Sequence, residues 1–169
     1  ETLAEPVVRG FAGLARQKGL LLHYHVGVLH PDEILIDPMR MRQILSNLIS
    51  NAIKCTQRGS VEVQVRSKPA EGDQIQLELI VQDTGIGISE AEQQLIFNPY
   101  EQSASGKKQS GTGLGLAICE QKVAMMSGTI ELHSHPGRGP RICVRLPVSS
   151  CESVEAVVES ALQPERLDF

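Results

Sequence analysis

Three short segments of the chain carry residue types that could hold a phosphate-containing ligand. In the first, Asn47, Asn51 and Lys54 recur at helical spacing, so two amides and an ammonium share one stripe. Asparagine is a poor helix former, so two of them four residues apart carry a cost. Two interpretations remain open for this stripe: a solvated helix face, or an amide oxygen on Mg²⁺ beside a lysine that faces phosphate oxygens.

The second segment follows a predicted strand and reads Asp83-Thr84-Gly85-Ile86-Gly87-Ile88. Its two glycines allow the backbone to approach a ligand closely. Asp83 places a carboxylate at the end of the strand, where it could accept a hydrogen bond from an exocyclic amine such as that of adenine. An ordinary glycine-rich turn is an equally good interpretation of this segment by itself.

The third segment leads from a polar, glycine-rich stretch at 101–113 into a predicted helix, and reads Gly111-Thr112-Gly113-Leu114-Gly115-Leu116. Free backbone N–H groups and the helix dipole make the start of a helix a natural anion site. The spacing does not match that of a P-loop. The segment also differs from a Rossmann site, whose glycine motif follows a strand, because a loop precedes it here. Alone, this pattern is weak evidence.

A periodic apolar pattern predicts the helix that carries the first segment. Asp37 is a favourable N-cap, and Pro38 suits the first helical position. Apolar residues then recur on one face over several turns, and we expect Gly59 to end the helix as its C-cap residue. That face consists of Met41, Ile44, Leu45, Leu48, Ile49, Ala52 and Ile53.

The rest of the chain mixes helices and strands without regular βαβ alternation. Helical patterns occur at 3–17, 89–97 and 114–127, strand patterns at 20–26, 60–66, 75–82, 129–134 and 141–147, and a short apolar segment at 34–36. This order favours an α+β fold, a two-layer α/β sandwich whose mixed, mostly antiparallel sheet is covered on one face by helices. We expect residues 1–148 to form the domain and residues 149–169 to form a linker or tail.

Composition narrows the class of protein. The net charge of −4 gives no basic stripe of the kind that binds nucleic acid. No apolar run approaches the ~18 residues of a membrane span, and the first residues lack a signal-peptide pattern. The four cysteines are widely spaced and form no CxxC, so we expect reduced thiols in a cytoplasmic protein.

Together and in this order, the three segments resemble the GHKL superfamily, and in particular the catalytic ATP-binding domain of bacterial sensor histidine kinases, including hybrid kinases. The family pattern DPxRLRQILxNLLxNAIKFT is similar to residues 37–56, DTGIGI matches residues 83–88, and GTGLGLAI is present at 111–118. Residues 97–100 resemble the FxPF box of the family. The resemblance covers residues 5–147 and implies the Bergerat fold.

The resemblance implies roles for the stripe on the helix and for the DTGIGI segment. Asn51 would supply the side-chain ligand to Mg²⁺, Asn47 would lie near the phosphates of ATP, and Lys54 would contact them. Asp83 would bind the adenine amino group. The other nucleotide-binding positions of this segment would be Gly85, Gly87 and Ile88.

The resemblance also implies a lid over the nucleotide, formed by residues 101–110. Within it, Lys107 or Lys108 would face the γ-phosphate. The glycines of the third segment would cradle phosphates and hinge the lid. The remaining nucleotide-binding positions would be Tyr100, Gly111, Thr112, Gly113, Leu114, Gly115 and Leu116.

Asn47 stands where the water-activating ATPases of the superfamily, such as DNA gyrase, carry a glutamate. An amide cannot act as a base at neutral pH, which favours transfer to a histidine over hydrolysis. Three residues depart from the family pattern. Pro140 replaces a Ser or Thr near the adenine, Cys55 replaces a Phe, and Asn98 replaces a Glu.

The expected activity is that of an ATP-dependent protein-histidine kinase. None of the five histidines is followed by the Glu or Asp of a family acceptor site, so the acceptor is expected on a separate dimerisation domain of the same kinase. A response-regulator receiver domain would be an indirect partner, and the isolated chain is expected to be monomeric. Two alternatives are a degenerate, nucleotide-binding or regulatory pseudokinase domain and a water-activating ATPase.

Overall fold

The computed structural model describes residues 3–29, 34–72, 74–85, 87–98, 115–135 and 137–150. Within these residues, six strands form one sheet. They are β1 Leu21–Val26, β2 Ile34–Leu35, β3 Ser60–Pro69, β4 Ile75–Asp83, β5 Thr129–His135 and β6 Arg138–Ser150. The strands β1, β3, β4 and β6 are neighbours in that order, and β6 also pairs with β5 and β2. Only β1 and β3 are parallel among these pairs of the described chain, so the predicted mixed, mostly antiparallel sheet is confirmed.

The described residues contain five helices, α1 Ala4–Gly10, α2 Ala12–Gln17, α3 Pro38–Cys55, α4 Glu90–Gln93 and α5 Gly115–Met125. The single helix predicted at 3–17 is two short helices that meet at Phe11. The N–H of Phe11 donates to the carbonyl of Val8 at 3.0 Å, three residues back, as in the tighter turn of a 3₁₀-helix. Gly10 and Gly13 flank this turn and weaken the helix on both sides of it.

The core lies between the helices and one face of the sheet. The predicted apolar face of α3 is buried along its full length, from Met41 to Ile53. Alternate residues of β3, β4 and β6 complete this cluster, among them Val63, Leu79 and Val144. A half-buried strand presents every second side chain to the core, and this alternation explains why the predicted strands were recognisable.

Helix α3 begins as predicted but ends by a different device. The Asp37 carboxylate accepts hydrogen bonds from the N–H groups of Met39 and Arg40, at 3.0 and 3.2 Å. The prediction that Gly59 caps the other end is wrong, because the helix ends at Cys55. Gly59 has a φ of +111°, and a Cβ there would lie 2.0 Å from Oγ1 of Thr84, so the glycine is needed for that close approach instead.

The last strand is longer than the pattern predicted. Ser149 and Ser150 continue β6 and pair with Leu35 and Ile34 of β2. The linker or tail predicted from residue 149 therefore begins no earlier than residue 151, and 151–169 lie outside the described residues. Helix α4 has the predicted capping box of Ser89 and Glu92, although it is shorter than predicted. None of the helices in the described ranges has the length and apolarity to span a membrane.

Candidate functional site

A cavity opens between the C-terminal ends of α3 and β4, the first turn of α5 and the start of β6. It encloses about 580 Å³, part of which is open to solvent. Its walls are mainly apolar, with one carboxylate and one carboxamide among them. The lining residues are Leu48, Asn51, Ala52, Cys55, Val81, Asp83, Gly85, Gly87, Ile88, Ile96, Leu116, Pro140 and Ile142. Mostly apolar walls with a few polar groups are typical of small-molecule sites.

Helix α3 brings one residue of the polar stripe into the cavity wall. Asn51 lines the cavity, whereas Asn47, which is half-buried, and Lys54, which is exposed, do not. A Cβ added to Gly115 would lie 3.2 Å from Nδ2 and 3.4 Å from Oδ1 of Asn51. The glycine at the start of α5 therefore leaves room beside the carboxamide.

Asp83 is the buried carboxylate of the cavity. The residue is only 4% exposed, and its Oδ1 accepts a hydrogen bond from the N–H of Gly85 at 2.7 Å. Burial raises the pKa of Asp83, while the hydrogen bond from Gly85 and the contact with the Thr56 hydroxyl lower it and offset the increase in part. None of the ion pairs among the described residues includes Asp83. Among the described residues, the groups that lower its pKa are therefore neutral, and its carboxylate lies in the wall of the cavity.

Three glycines bring backbone close to Asp83 and to the loop that follows it. A Cβ on Gly85 would lie 2.7 Å from Oδ1 of Asp83. Gly87 has a φ of +81°, and a Cβ there would lie 2.3 Å from the carbonyl oxygen of His135. A Cβ on Gly139 would lie 1.7 Å from the carbonyl oxygen of Asp83. A side chain at Gly87 or Gly139 would force the neighbouring backbone apart, so glycine is required there, whereas one at Gly85 would displace the carboxylate of Asp83.

The loop after β4 is also tied to β5. The N–H of Ile88 donates to Oγ of Ser134 at 2.8 Å. The Gln93 amide donates to the carbonyls of Ile88 and Ser134, at 2.9 Å each. These bonds place Ile88 in the cavity wall together with Leu116 of α5.

Most predicted site residues that the structure describes therefore lie together. Asn51, Asp83, Gly85, Gly87, Ile88 and Leu116 line the cavity, and Gly115 lies against Asn51. The predicted positions Tyr100, Lys107, Lys108, Gly111, Thr112, Gly113 and Leu114 lie outside the described residues. Sequence reasoning missed Gly139, although it directly precedes Pro140, one of the departures from the family pattern. It also missed the apolar wall, because those residues look like ordinary core positions.

Comparison with known proteins identifies the family. The family described as "Histidine kinase-, DNA gyrase B-, and HSP90-like ATPase" matches residues 36–150. The chain belongs to this family. The predicted resemblance to the catalytic domains of sensor histidine kinases is thereby confirmed at the level of the family and fold.

Individual relatives and one solved structure agree with this assignment. The virulence sensor protein BvgS of Bordetella bronchiseptica is 44% identical over 153 residues, which cover 89% of this chain and 12% of BvgS. The signal transduction histidine-protein kinase BarA of Escherichia coli K12 is 34% identical over 161 residues, which cover 87% of this chain and 18% of BarA. The chain therefore spans less than a fifth of these relatives. The crystal structure of full-length ShkA in complex with AMPPNP matches with a TM-score of 0.72 and 29% identity, covering 88% of this chain and 30% of ShkA.

Proposed function

We propose that this domain binds Mg-ATP in the cavity and transfers the γ-phosphate to a histidine on a separate dimerisation domain. The observation that carries the proposal is Asp83, a buried carboxylate without a cationic partner in the described structure, at the wall of a mainly apolar cavity. Such a group can accept a hydrogen bond from the amino group of adenine, while apolar walls such as Val81 and Ile142 contact the ring faces. The AMPPNP complex of the related ShkA supports a nucleotide as the ligand.

The other end of the cavity suits the phosphates. Mg²⁺ is usually held by one or two protein oxygens, with phosphate oxygens and water completing its octahedron. The single carboxamide of Asn51, beside the open space that Gly115 leaves, fits this donor set. When bound, Mg²⁺ would neutralise negative charge on the phosphates. Lys54 is exposed on the same helix, and its long side chain can bring a cation to their oxygens.

Transfer rather than hydrolysis is proposed because α3 offers no base to activate water. One turn before Asn51, the helix carries Asn47, whose amide cannot accept a proton at neutral pH. The protein's own residues therefore bind and orient the nucleotide, since positioning and electrostatic stabilisation together supply most of the catalysis in phosphoryl transfer. We propose that the domain works on the cytoplasmic side of a larger sensor kinase, with a receiver domain as its indirect partner and 151–169 as a linker.

One observation favours a second function. Pro140, which replaces the family hydroxyl, lines the cavity and offers a ligand neither a hydroxyl nor a backbone N–H. If this loss prevents productive binding, the domain would sense nucleotide or regulate a partner kinase without transferring phosphate.

Calorimetric titration with a non-hydrolysable ATP analogue, with and without Mg²⁺, tests the binding site. We expect Mg²⁺ to tighten binding in the wild type and to have little effect in Asn51→Ala. Gln43→Ala is the matched control, because Gln43 is an exposed polar residue of the same helix outside the cavity. Equal Mg²⁺ dependence in all three proteins would contradict the assignment of Asn51.

Phosphotransfer is tested by adding radiolabelled ATP and the cognate dimerisation domain to the 169-residue chain. We expect label on the acceptor histidine and none on a variant in which that histidine is glutamine. Tight nucleotide binding without transfer to the correct partner would favour the regulatory function.

A further inference from the structure

Lys18 lies in the segment before residues 36–150 and joins it to the end of α3 by three hydrogen bonds. Its ammonium donates to the carbonyl oxygens of Ile53, Lys54 and Thr56, at 2.7, 2.9 and 3.2 Å. Lys18 lies outside residues 36–150, to which the family description applies. An ammonium has three N–H donors, so all three are matched to backbone acceptors.

The backbone around Lys18 holds its side chain close to the end of α3. Lys18 caps α2, and the chain reverses at Gly19, which has a φ of +70°. The N–H of Leu20 then donates to the carbonyl of Ala15 at 2.9 Å, and that of Leu21 donates to Gly59 at 3.0 Å. The turn is thus fixed on one side by α2 and on the other by the loop that follows α3.

The acceptors of Lys18 are two carbonyls of the last turn of α3 and the carbonyl of its C-cap residue, Thr56, and these groups lack partners within the helix. A cation is favourable at this negative end of the helix dipole. Thr56 also donates its N–H to the carbonyl of Ala52 at 3.0 Å, and its hydroxyl donates to the same oxygen at 2.7 Å. Lys18 therefore fixes a turn whose final residue, Thr56, is fully buried.

This turn forms one side of the proposed adenine site. Cys55 lines the cavity, and its carbonyl oxygen would lie 3.4 Å from a Cβ added to Gly85, whose N–H donates to Asp83. The side chain of Thr56, next in the chain, lowers the pKa of Asp83. We propose that Lys18 is a positioning residue of the nucleotide site: it holds Cys55 and Thr56 in place against Gly85 and Asp83 without touching the nucleotide. The proposal deepens the proposed function and rests on it for its effect on affinity, but not for its effect on the protein alone.

Four groups of the described chain face Asp83. They are the Cys55 thiol from α3, the Thr56 hydroxyl from its C-cap, the Gly85 N–H from the loop after β4, and the backbone of Gly139 from β6. Because the contact with Thr56 lowers the pKa of Asp83, loosening the turn is expected to raise that pKa further. A role confined to overall stability would leave it unchanged.

The experiment compares Lys18→Met with Arg16→Met in the 169-residue chain. Arg16 is an exposed cation on α2, and its removal leaves the carbonyls of α3 bonded to Lys18. For Lys18→Met we expect about tenfold weaker binding of the ATP analogue, as for other residues that orient a ligand-binding group. We also expect a higher pKa of Asp83 by carbon-detected NMR, and faster amide exchange at Thr56 and Gly85. Arg16→Met is expected to match the wild type, and Lys18→Arg to lie between the two.

Unchanged affinity, pKa and amide exchange in Lys18→Met would overturn the proposal, as would equal changes in Arg16→Met. If the wild type binds no nucleotide, the proposed function fails, but the NMR measurements still decide the role of Lys18. Should Lys18→Met not fold, Thr56→Val tests the same link, because it removes the hydroxyl and keeps the side-chain shape. An unchanged pKa of Asp83 in that variant would contradict the proposal.

Discussion

Strand β4 carries two buried carboxylates on opposite faces, and their surroundings differ in kind. Glu78, on the face away from the helices, is 1% exposed and forms ion pairs with Arg66, Lys68 and Arg145, at 2.6, 2.7 and 3.2 Å. Burial raises the pKa of Glu78, but the hydrogen bonds from these three cations outweigh it and lower the pKa to about 2. Asp83, on the helix face, has neutral donors and a raised pKa.

The comparison separates a carboxylate inside an ion-pair network from the one that we propose binds the nucleotide. The charge of Glu78 is neutralised by three side chains from its two neighbouring strands, β3 and β6, and none of these three partners lines the cavity. Asp83 retains a charge that burial disfavours, next to open space. Perturbed carboxylates in a cavity are candidates for function, whereas an ion-pair network perturbs a pKa without implying one.

The largest expected effect is on nucleotide binding. Asp83→Asn should weaken the ATP analogue by about 100-fold, because the charged acceptor of the adenine amine is lost and a donor faces it instead. Glu78→Gln should bind as the wild type does. Calorimetry of both variants tests this contrast, and equal losses of affinity would show that the two carboxylates do not differ as proposed.

Stability should follow the opposite order. Glu78→Gln is expected to lower the free energy of unfolding by about 2 kcal/mol, since three cations lose the charge that they share. Asp83→Asn should change it little, because the amide oxygen still accepts from Gly85 and the buried charge is gone. Urea denaturation of the two variants measures this, and a greater loss in Asp83→Asn would reverse the comparison.

The two carboxylates should also respond to acid at different points. The pKa of Glu78 is lowered from 4.5 to about 2, so its contribution to stability is complete above pH 4.5 and is lost as the pH falls toward 2. The pKa of Asp83 is raised above 3.8, so this carboxylate is protonated earlier than Glu78 as the pH falls. Nucleotide affinity should therefore be lost on acidification before the protein loses the stability that Glu78 contributes. Calorimetry and urea denaturation across this pH range measure the two effects. If affinity and the free energy of unfolding fell over the same pH interval, one group would govern both and the contrast would be wrong.

The smallest effect is expected at the edge of the Glu78 network. Glu131 lies 2.6 Å from Arg145, but its side chain is 45% exposed. Water screens such pairs, so Glu131→Gln should leave the urea midpoint close to that of the wild type. A shift as large as that of Glu78→Gln would mean that distance, rather than burial, determines the contribution of a pair in this network.

Local patterns in the sequence were enough to predict the main elements. The N-cap at Asp37 and the apolar face that follows it act within one helix, so both were confirmed. The alternation of β3 and β4 is local in the same way. The wrong assignment of Gly59 has a non-local cause, since the glycine is required by Thr84, which is distant in the chain.

The residues of the candidate site also differ in whether their role depends on local sequence or on contacts between distant segments. Asp83 and its glycines could be recognised because one short segment contains them, and Asn51 because the helix repeats its polar face. Gly139 could not be assigned, because only the pairing of β6 with β4 brings its backbone against Asp83. No role could be predicted for Lys18, because its partners are carbonyl groups, which every residue has.

The sequence by itself determined the helices, the strands and the family, since periodicity, caps and ordered motifs act over short stretches of chain. Only the tertiary structure decided which polar groups are buried together and with what charge beside them. The difference between Glu78 and Asp83 is of this kind. Both are acidic residues of one strand, and their opposite pKa shifts come from side chains and backbone that other strands and α3 supply.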